Sequence, residues 1–305
     1  MVHVLIPAHN NKPEVIAVLA CLERQRSVEL EVLLVDDGST DGTREEVRRL
    51  FPLVRILSGD GSLWWTGANV IGVAHILGTA QDRDFILLLN NDVSMEDDYV
   101  SRLVECSESL GRALVGSTIV DDQRRDRLMA GIRLDRRLRI NQNSDRAAIE
   151  QSPHDVHVDV LPGRGTLVPV EVFRRIGTFN RRRLPHYGAD YEFSIRAKRA
   201  GFRLAVSHDA RVFAKLGITG FYPSDRPKIS VRECVRLLCS KKSTANLRYY
   251  LNYVWMCSES GYRLRNTISH GVGLLLDTLG KTAVGVPLQI CMRLWLRADR
   301  TVKAS

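Results

Sequence analysis

The sequence predicts an α/β protein: a doubly wound, mostly parallel sheet with a C-terminal helical appendage. Two observations lead to this prediction. The apolar runs at residues 32–35 and 85–89 contain no polar alternation, which is typical of strands buried on both faces of a parallel sheet. Segments with strand-like and helix-like patterns also alternate, with short links, through about residue 110, and this favours repeated strand–helix units.

The elements of the first half can be predicted in chain order. A strand at residues 2–6 ends at Pro7, and a helix through about residue 26 starts near Pro13, because proline is favoured in the first helical turn. The elements predicted next are strands at 30–35, 54–57 and 85–89, a short helix after Gly42, a helix from about 64 to 80, and a helix to about 110 that Ser94 and Asp97 would cap.

Beyond Gly111 the pattern loosens. Residues 121–158 are polar and rich in Arg and Asp, which predicts irregular surface or an antiparallel hairpin. The elements predicted after them are a loop at 162–166, helices at 170–176 and 187–200, and a mainly helical, amphipathic tail from residue 229.

The basic residues are concentrated in the tail. The 305-residue chain has a net charge of +9, and residues 226–305 hold 14 of its 44 Lys and Arg but only 4 of its 35 Asp and Glu. The preceding part is therefore close to neutral. A basic tail on a neutral body predicts a membrane surface or a protein partner rather than nucleic acid. We place a domain boundary between residues 225 and 226.

The cysteines and the termini predict the compartment. The six cysteines form no Cys-x-x-Cys pair and no Cys/His metal spacing, as expected in a reducing cytosol. The first residues lack a basic segment followed by a long apolar one, so we expect no signal peptide. We expect no membrane span either, because charged residues and a proline break the most apolar tail stretch, 268–296: Asp277, Lys281, Pro287 and Arg293. The protein is expected to be cytoplasmic, or peripheral on the inner face of the membrane.

Acidic and amide side chains follow two of the predicted strands. Asp36 and Asp37 come directly after the strand at 30–35, and Asn90 to Asp92 follow the strand at 85–89. Open α/β sheets bind ligands at the carboxyl ends of their strands. The order of these two polar segments along the chain predicts a nucleotide site followed by a metal site.

Four segments, in this order, resemble the family 2 glycosyltransferases, which have the GT-A fold. They are Pro-x-His-Asn at 7–10, Val-Asp-Asp-Gly-Ser-Thr-Asp-Gly-Thr at 35–43, Leu-Leu-Asn-Asn-Asp-Val at 88–93, and an acidic helix start that leads into Arg-Ala-Lys-Arg-Ala-Gly-Phe at 196–202. The resemblance covers residues 2 to about 220. It implies a GT-A catalytic domain at 1–225, with a nucleotide-binding half at 1–111 and an acceptor-binding half at 112–225.

The resemblance also implies a donor site for a nucleotide-sugar. Asp37 would accept a hydrogen bond from the base, with a turn or helix-cap role as the alternative. Asp92 would hold Mg²⁺ or Mn²⁺, with water and donor phosphates as further ligands. Relatives carry a metal-binding His after the last strand, where this chain has Ala214, so His208 or His186 would have to substitute. The other residues assigned to the donor are Pro7, His9, Asn10, Gly38, Trp65, Gly67, Asn69 and Asn91.

Asp190 is the predicted general base. It aligns with the Asp of the family's Glu-Asp pair, whose Glu is replaced by Ala189. An ordinary carboxylate would be ionised at neutral pH. Glu192 is the rival, although two residues further along a helix it would point to another face. Arg164 could hold a phosphate or an anionic acceptor. The residues assigned to the acceptor side are Trp64, Arg164, His186, Tyr187 and Glu192, with core packing as the alternative for the tryptophans.

We therefore predict a non-processive inverting glycosyltransferase of cell-surface polysaccharide synthesis. It would move one sugar from a UDP- or dTDP-sugar to a glycan or lipid-linked acceptor, and the Trp-Trp and His-Tyr-Gly-Ala-Asp segments resemble rhamnosyltransferase-like members. A sugar-nucleotide nucleotidyltransferase would need a Gly-rich, basic loop after the first strand, and residues 7–12 do not provide one. A degenerate member that binds nucleotide or partners without turnover stays open because of Ala189 and Ala214. The tail would bind a membrane, pack on the catalytic domain or form a homodimer.

Overall fold

The computed structural model describes residues 1–122, 128–142, 152–214 and 229–282. The chain divides into two compact units, residues 1–218 and residues 219–305. The predicted domain boundary at 225/226 lies outside the described residues.

The first unit is an α/β fold whose early strands are parallel, as predicted. Strand β1 (Val2–Ala8) lies between β2 (Leu30–Asp36) and β4 (Phe85–Leu88), and β3 (Arg55–Ser58) pairs with β2. The helices between these strands are α1 (Lys12–Glu23), α2 (Thr43–Leu50) and α3 (Trp64–Leu77). A Cβ at Gly72 would overlap Leu5, so α3 packs directly against β1.

The rest of the sheet mixes directions. Strand β11 (Thr166–Pro169) runs antiparallel between β4 and β6 (Leu114–Asp121), and β6 is parallel to β12 (Leu204–Ala214). The other strands are β5 (Val93–Met95) and β10 (His154–Asp155) on β12, β7 (Leu128–Met129) on β6, and the separate hairpin of β8 (Ile132–Leu134) and β9 (Ile140–Gln142). The remaining helices of the unit are α4 (Tyr99–Ser109), α5 (Val170–Ile176) and α6 (Ala189–Arg199). The order of the main path is β10-β12-β6-β11-β4-β1-β2-β3.

Two sequence predictions for this unit need correction. Ser94 does not cap a helix, because it lies in β5, paired with Phe213, and α4 begins only at Tyr99. The strands β6 and β12 were also missed. All eight residues of β6 are buried, but its sequence carries Gly-Ser-Thr at 116–118, which breaks the apolar run that would have indicated a strand. An irregularity between Ser207 and Arg211 interrupts β12. Of the two alternatives predicted for 121–158, irregular surface or an antiparallel hairpin, the described residues contain the hairpin of β8 and β9.

The second unit is helical over its described residues. Helix α7 (Val231–Cys239) begins with a capping box between Ser230 and Glu233. Asn246 caps α8 (Leu247–Cys257), and a short 3₁₀ turn precedes α9 (Arg263–Gly280). Tyr250 Oη lies 2.8 Å from His270 Nδ1, which joins α8 to α9. The mainly helical tail predicted from residue 229 is confirmed over residues 229–282, and the rest of the tail lies outside the described residues. None of the described helices combines the length and the apolarity needed to cross a bilayer.

Candidate active site

Asp36 anchors the loop that follows β2. Its side chain is fully buried, and Arg44 of α2 donates to Asp36 Oδ2 from Nε at 3.0 Å and from Nη2 at 2.8 Å. The backbone N–H of Ser39 donates to the other carboxylate oxygen at 3.1 Å. We did not predict this structural role of Asp36 from the sequence. The pattern that could have indicated it is the Arg in the first turn of the helix that follows. Asp36 is thus a structural support for the loop that carries Asp37.

Asp37 joins the end of β2 to the loop before α3. The residue is 5% exposed, and its two carboxylate oxygens accept hydrogen bonds from Gly61 N at 2.8 Å and Trp64 N at 3.0 Å. Gly38 has φ +70°, and a Cβ there would lie 2.9 Å from Gly61 N, so the two loops are in close contact. The bond to Trp64 matches the helix-cap alternative. A contact with a nucleobase would use the remaining carboxylate lone pairs.

The residues after β1 hold the same loop from the other side. His9 Nδ1 donates to the carbonyl oxygen of Asp37 at 2.6 Å, and Asn10 Oδ1 accepts from Thr40 N at 2.7 Å. Pro7 lies in β1, opposite Val35 of β2. The fold therefore brings the first group of predicted donor residues together at the carboxyl ends of β1 and β2.

Trp65 packs in the interior of the site and contacts Asn90. Its indole Nε1 donates to Asn90 Oδ1 at 3.0 Å, and a Cβ at Gly163 would overlap its ring. Asn69 donates from Nδ2 to Trp65 O at 2.8 Å. Asn69 and Gly67 are both buried within α3. Asn69 therefore supports the backbone of Trp65, and the donor contact expected for Gly67 and Asn69 stays a prediction.

The loop at residues 162–165 contacts the predicted general base and the predicted metal-binding carboxylate. Gly163 N donates to Asp190 Oδ2 at 2.9 Å, and Arg164 Nη2 lies 3.3 Å from Asp92 Oδ2. Gly165 N donates to Leu88 O at 2.9 Å, which fixes the loop to β4. Consecutive residues of one anchored loop thus bring Asp92 and Asp190 to the same site.

Gly165→Ala tests whether this loop tolerates a side chain. Gly165 has φ +86°, and a Cβ would lie 2.7 Å from Ser117 Oγ and overlap Tyr99. We expect Gly165→Ala to lower the free energy of unfolding by about 1–3 kcal/mol more than Gly111→Ala does, because overpacking adds to the backbone strain. Gly111 has φ +70° with nothing within 4 Å of such a Cβ, so it isolates the strain. Urea denaturation of both variants makes the comparison, and equal losses would contradict the account of the loop.

The environment of Asp190 suits a general base. The side chain is half-buried at the start of α6, and Tyr191 N donates to its Oδ1 at 3.0 Å. Burial raises the pKa of Asp190, while the N–H groups of Gly163 and Tyr191 and the nearby Arg164 charge act in the opposite direction. A raised pKa makes a carboxylate a stronger proton acceptor when it is ionised.

Glu192 does not share this environment. Both of its carboxylate oxygens pair with Arg196, at 2.9 and 3.1 Å, within the same helix. Arg196 also donates to the carbonyl oxygens of Ile176 and Thr178. Glu192 therefore ties α6 to the end of α5, and the structure does not support its predicted acceptor-side position or its role as the rival base.

An aromatic cluster of Trp64, His186 and Tyr187 forms beside the start of α3. The ring centroids lie 5.4 Å apart for Trp64 and His186, and 4.2 Å apart for His186 and Tyr187. Trp64 has φ +57°, a strained conformation for a bulky residue, and the bond from its N–H to Asp37 helps to hold it. The fold thus brings these three predicted acceptor-side residues together.

At Asp92 the protein could supply one carboxylate to a metal ion, and phosphates and water would have to supply the other ligands. Asp92 offers one half-exposed carboxylate, which suits Mg²⁺ or Mn²⁺ with phosphates and water as the other ligands. Asn91 beside it is half-exposed as well. Among the described residues, no cluster of three or more His, Cys, Asp or Glu could hold a metal on its own.

His208 lies far along β12 from the position of the missing histidine ligand. In the sheet, Ala214 pairs with Val93, next to Asp92, whereas Ser207, the neighbour of His208, pairs with Ser117. Ser117 lies four residues along β6 from the partner of Ala214, a separation of about 13 Å at the usual rise of a strand. His208 Nδ1 also bonds Ser152 O at 2.6 Å. The register of the sheet therefore does not bring His208 next to Asp92.

Comparison with known proteins identifies the class of this fold. The model of the glycosyl transferase family 2 matches residues 3–168, more than half of the chain, so the protein belongs to this family. The enzyme class expected from the sequence, a glycosyltransferase, is the class that the family defines.

Two solved structures share the fold. One is GalNAc-T7 with UDP, GalNAc and Mn²⁺, with a TM-score of 0.56 and 13% identity, over 70% of this chain and 43% of that one. The other is the mannosyltransferase PcManGT from Pyrobaculum calidifontis in complex with GDP-Man and Mn²⁺, with a TM-score of 0.57 and 14% identity, over all of this chain and 80% of that one. The likeness confirms the GT-A fold. This chain spans less than half the length of the GalNAc-T7 chain.

Proposed function

We propose that the protein is a non-processive, inverting glycosyltransferase that moves one sugar from a nucleotide-sugar to a glycan or lipid-linked acceptor. The main support is the loop at 162–165, whose Gly163 N–H contacts Asp190 and whose Arg164 side chain contacts Asp92. A proton acceptor and a cation-binding carboxylate so close together suit the transfer of a sugar from a diphosphate.

In the proposed reaction, Asp190 takes the proton of an acceptor hydroxyl. The hydroxyl oxygen forms a bond to the anomeric carbon of the donor sugar, and the bond from that carbon to the diphosphate oxygen breaks. The nucleoside diphosphate leaves with the electron pair, from the face opposite the attack. The N–H groups of Gly163 and Tyr191 orient the Asp190 carboxylate, and the anchored loop keeps it in position before substrate binds.

Asp92 is the residue proposed to hold Mg²⁺ or Mn²⁺, which would neutralise charge on the departing diphosphate. Both neighbours of known structure were solved with Mn²⁺ and a nucleotide or nucleotide-sugar. On the donor side we propose that His9, Asn10 and Asp37 line the nucleoside end. We favour UDP- or dTDP-sugars, on the resemblance to rhamnosyltransferase-like enzymes of surface-polysaccharide synthesis.

On the acceptor side we propose that the aromatic cluster contacts a sugar ring. The residues of the cluster are half-buried. Trp64 of the cluster is adjacent in sequence to Trp65, which packs against Gly163 of the loop. Aromatic faces provide apolar contact area at little cost in side-chain entropy. This position puts an acceptor sugar within the same site as Asp190.

We also propose that the basic tail associates with an anionic membrane surface, where a lipid-linked acceptor would lie. Helices α7 and α9 leave apolar side chains exposed beside arginines, a pattern found in interfacial helices. The exposed apolar residues are Val231, Val235, Leu264, Ile268, Val272 and Leu279. Sedimentation with phosphatidylserine vesicles should pull down the protein in a salt-dependent way. Dimer formation without vesicle binding would instead favour the homodimer.

The pH dependence of turnover should reflect Asp190. The carboxylate works in its ionised form, and burial raises its pKa. We therefore expect kcat/KM to fall as the pH drops, with a midpoint above the ordinary Asp value of about 4. Donor hydrolysis measured between pH 4 and 8 tests this, and a rate unchanged down to pH 4 would argue against Asp190 as the base.

The proposed activity can be tested with a panel of nucleotide-sugars. The protein is incubated with UDP-, dTDP- and GDP-sugars plus Mn²⁺, and release of nucleoside diphosphate is followed by chromatography. Release from a UDP- or dTDP-sugar supports the proposal. Release from GDP-sugars alone would overturn the donor assignment, and no release from any donor would favour a degenerate, binding-only member of the family.

A further inference from the structure

Arg164 forms an ion pair at the carboxylate that is proposed to hold the metal. Its side chain is 13% exposed, that of Asp92 is 25% exposed, and Nη2 lies 3.3 Å from Oδ2. A guanidinium is always charged near neutral pH. A positive charge therefore already lies at the site that a divalent cation would use.

The backbone around Arg164 fixes this arrangement. Gly165 bonds Leu88 O of β4 through its N–H, and its carbonyl oxygen accepts from Ser117 Oγ at 2.6 Å. Gly163 bonds Asp190. The backbone on both sides of Arg164 is anchored, so a change in its contacts requires movement of the side chain only.

We propose that Arg164 competes with the divalent cation for Asp92 in the donor-free enzyme and moves to the donor diphosphate when metal and donor bind together. The inference rests on the proposed function, because it needs a diphosphate at Asp92. Like charges in a partly buried site repel each other, so Arg164 and the cation would not both stay on one carboxylate. The diphosphate offers Arg164 a stronger partner through two parallel hydrogen bonds.

This competition makes metal and donor binding cooperative. Mn²⁺ alone must displace Arg164 without offering it a new partner, whereas Mn²⁺ with a nucleoside diphosphate supplies one. Arg164 is then a positioning residue that ties occupation of the metal site to the presence of the donor. Asp190 is the other carboxylate that faces Arg164 closely enough for its charge to be felt, so movement of Arg164 also changes the charge next to the general base.

The test measures binding of Mn²⁺ alone, from the electron paramagnetic resonance signal of the free ion. We expect Arg164→Gln to bind Mn²⁺ about tenfold more tightly than the wild type. A tenfold change in affinity corresponds to the loss of a competing ion pair worth about 1.4 kcal/mol. Arg164→Met, which keeps the apolar stem, should behave likewise, and Arg164→Lys should stay close to the wild type. Arg48→Gln, an exposed residue of α2, is the control for net charge. The added affinity should disappear in the double variant Asp92→Asn/Arg164→Gln.

Nucleotide binding should change in the opposite direction. With Mn²⁺ present, Arg164→Gln should bind UDP or dTDP about tenfold more weakly than the wild type. Equal Mn²⁺ affinity in the wild type, Arg164→Gln and Arg164→Met would overturn the inference, and so would a gain that survives Asp92→Asn. A wild type that binds no nucleotide with Mn²⁺ would refute the proposed function instead, while the measurements with Mn²⁺ alone would still decide whether Arg164 competes at Asp92.

Discussion

Asp190→Asn is expected to lower kcat by about 10²–10⁴-fold, the usual contribution of a general base, while nucleotide binding is retained. The substitution removes the proton acceptor but keeps the size of the side chain. In the wild type the N–H groups of Gly163 and Tyr191 donate to the Asp190 carboxylate. The amide oxygen of Asn can still accept a hydrogen bond from one of them. The loss should therefore appear in turnover and not in the affinity for nucleotide. Single-turnover transfer or donor hydrolysis, combined with nucleotide titration, measures the two effects separately.

Glu192→Gln is the matched control for this prediction. It also replaces a carboxylate by an amide in the first turn of α6, but both oxygens of Glu192 are paired with Arg196 within the same helix. We expect Glu192→Gln to lower the melting temperature. The kcat per folded molecule should stay within about threefold of the wild type, a change in activation free energy of less than about 1 kcal/mol. A larger loss of kcat in Glu192→Gln than in Asp190→Asn would exchange the two assignments.

Arg44→Ala is expected to lower the free energy of unfolding by about 3 kcal/mol, because it leaves a buried carboxylate without its partner. Asp36 is fully buried, and Arg44 donates to it from two nitrogens. Removal of Arg44 also loosens the loop that carries Asp37, so nucleotide affinity should fall as well. Chemical denaturation and nucleotide titration of the purified variant provide the two measurements.

Arg49→Ala on the same helix gives the comparison. Arg49 pairs with Glu46, but the two side chains are 65% and 35% exposed. Exposed ion pairs contribute about 0–1 kcal/mol, so Arg49→Ala should have a much smaller effect on stability. Similar losses in the two variants would show that burial of Asp36 does not determine the strength of its pair with Arg44.

The sequence was most informative where one segment alone determines the structure. The parallel strands β1 to β4 were predictable because each contains a short, mainly apolar run that ends at a recognisable loop. The site at 36–37 and 90–92 followed from the position of polar residues at the ends of such strands. The helix that carries Asp190 could likewise be predicted from its own residues.

The features that the sequence did not reveal depend on segments that meet only in the fold. Asp37 bonds the backbone of Gly61 and Trp64, more than twenty residues away, and no local pattern indicates this. The pair of Arg164 and Asp92 spans 72 residues. The misplacement of His208 has the same origin, because the register of β12 against β5 and β6 decides which side chains of that strand approach Asp92.

The proposed function requires a donor site at Asp92 that binds nucleotide and metal together. A thermal-shift panel of UDP, dTDP, GDP and CMP, each with and without Mn²⁺, tests it directly, because a ligand that binds only the native state raises the melting temperature. We expect UDP or dTDP with Mn²⁺ to raise the melting temperature of the wild type by several degrees, and this shift to be lost in Asp92→Asn. An unchanged melting temperature with every nucleotide, or a shift that persists in Asp92→Asn, would contradict the assignment of the site.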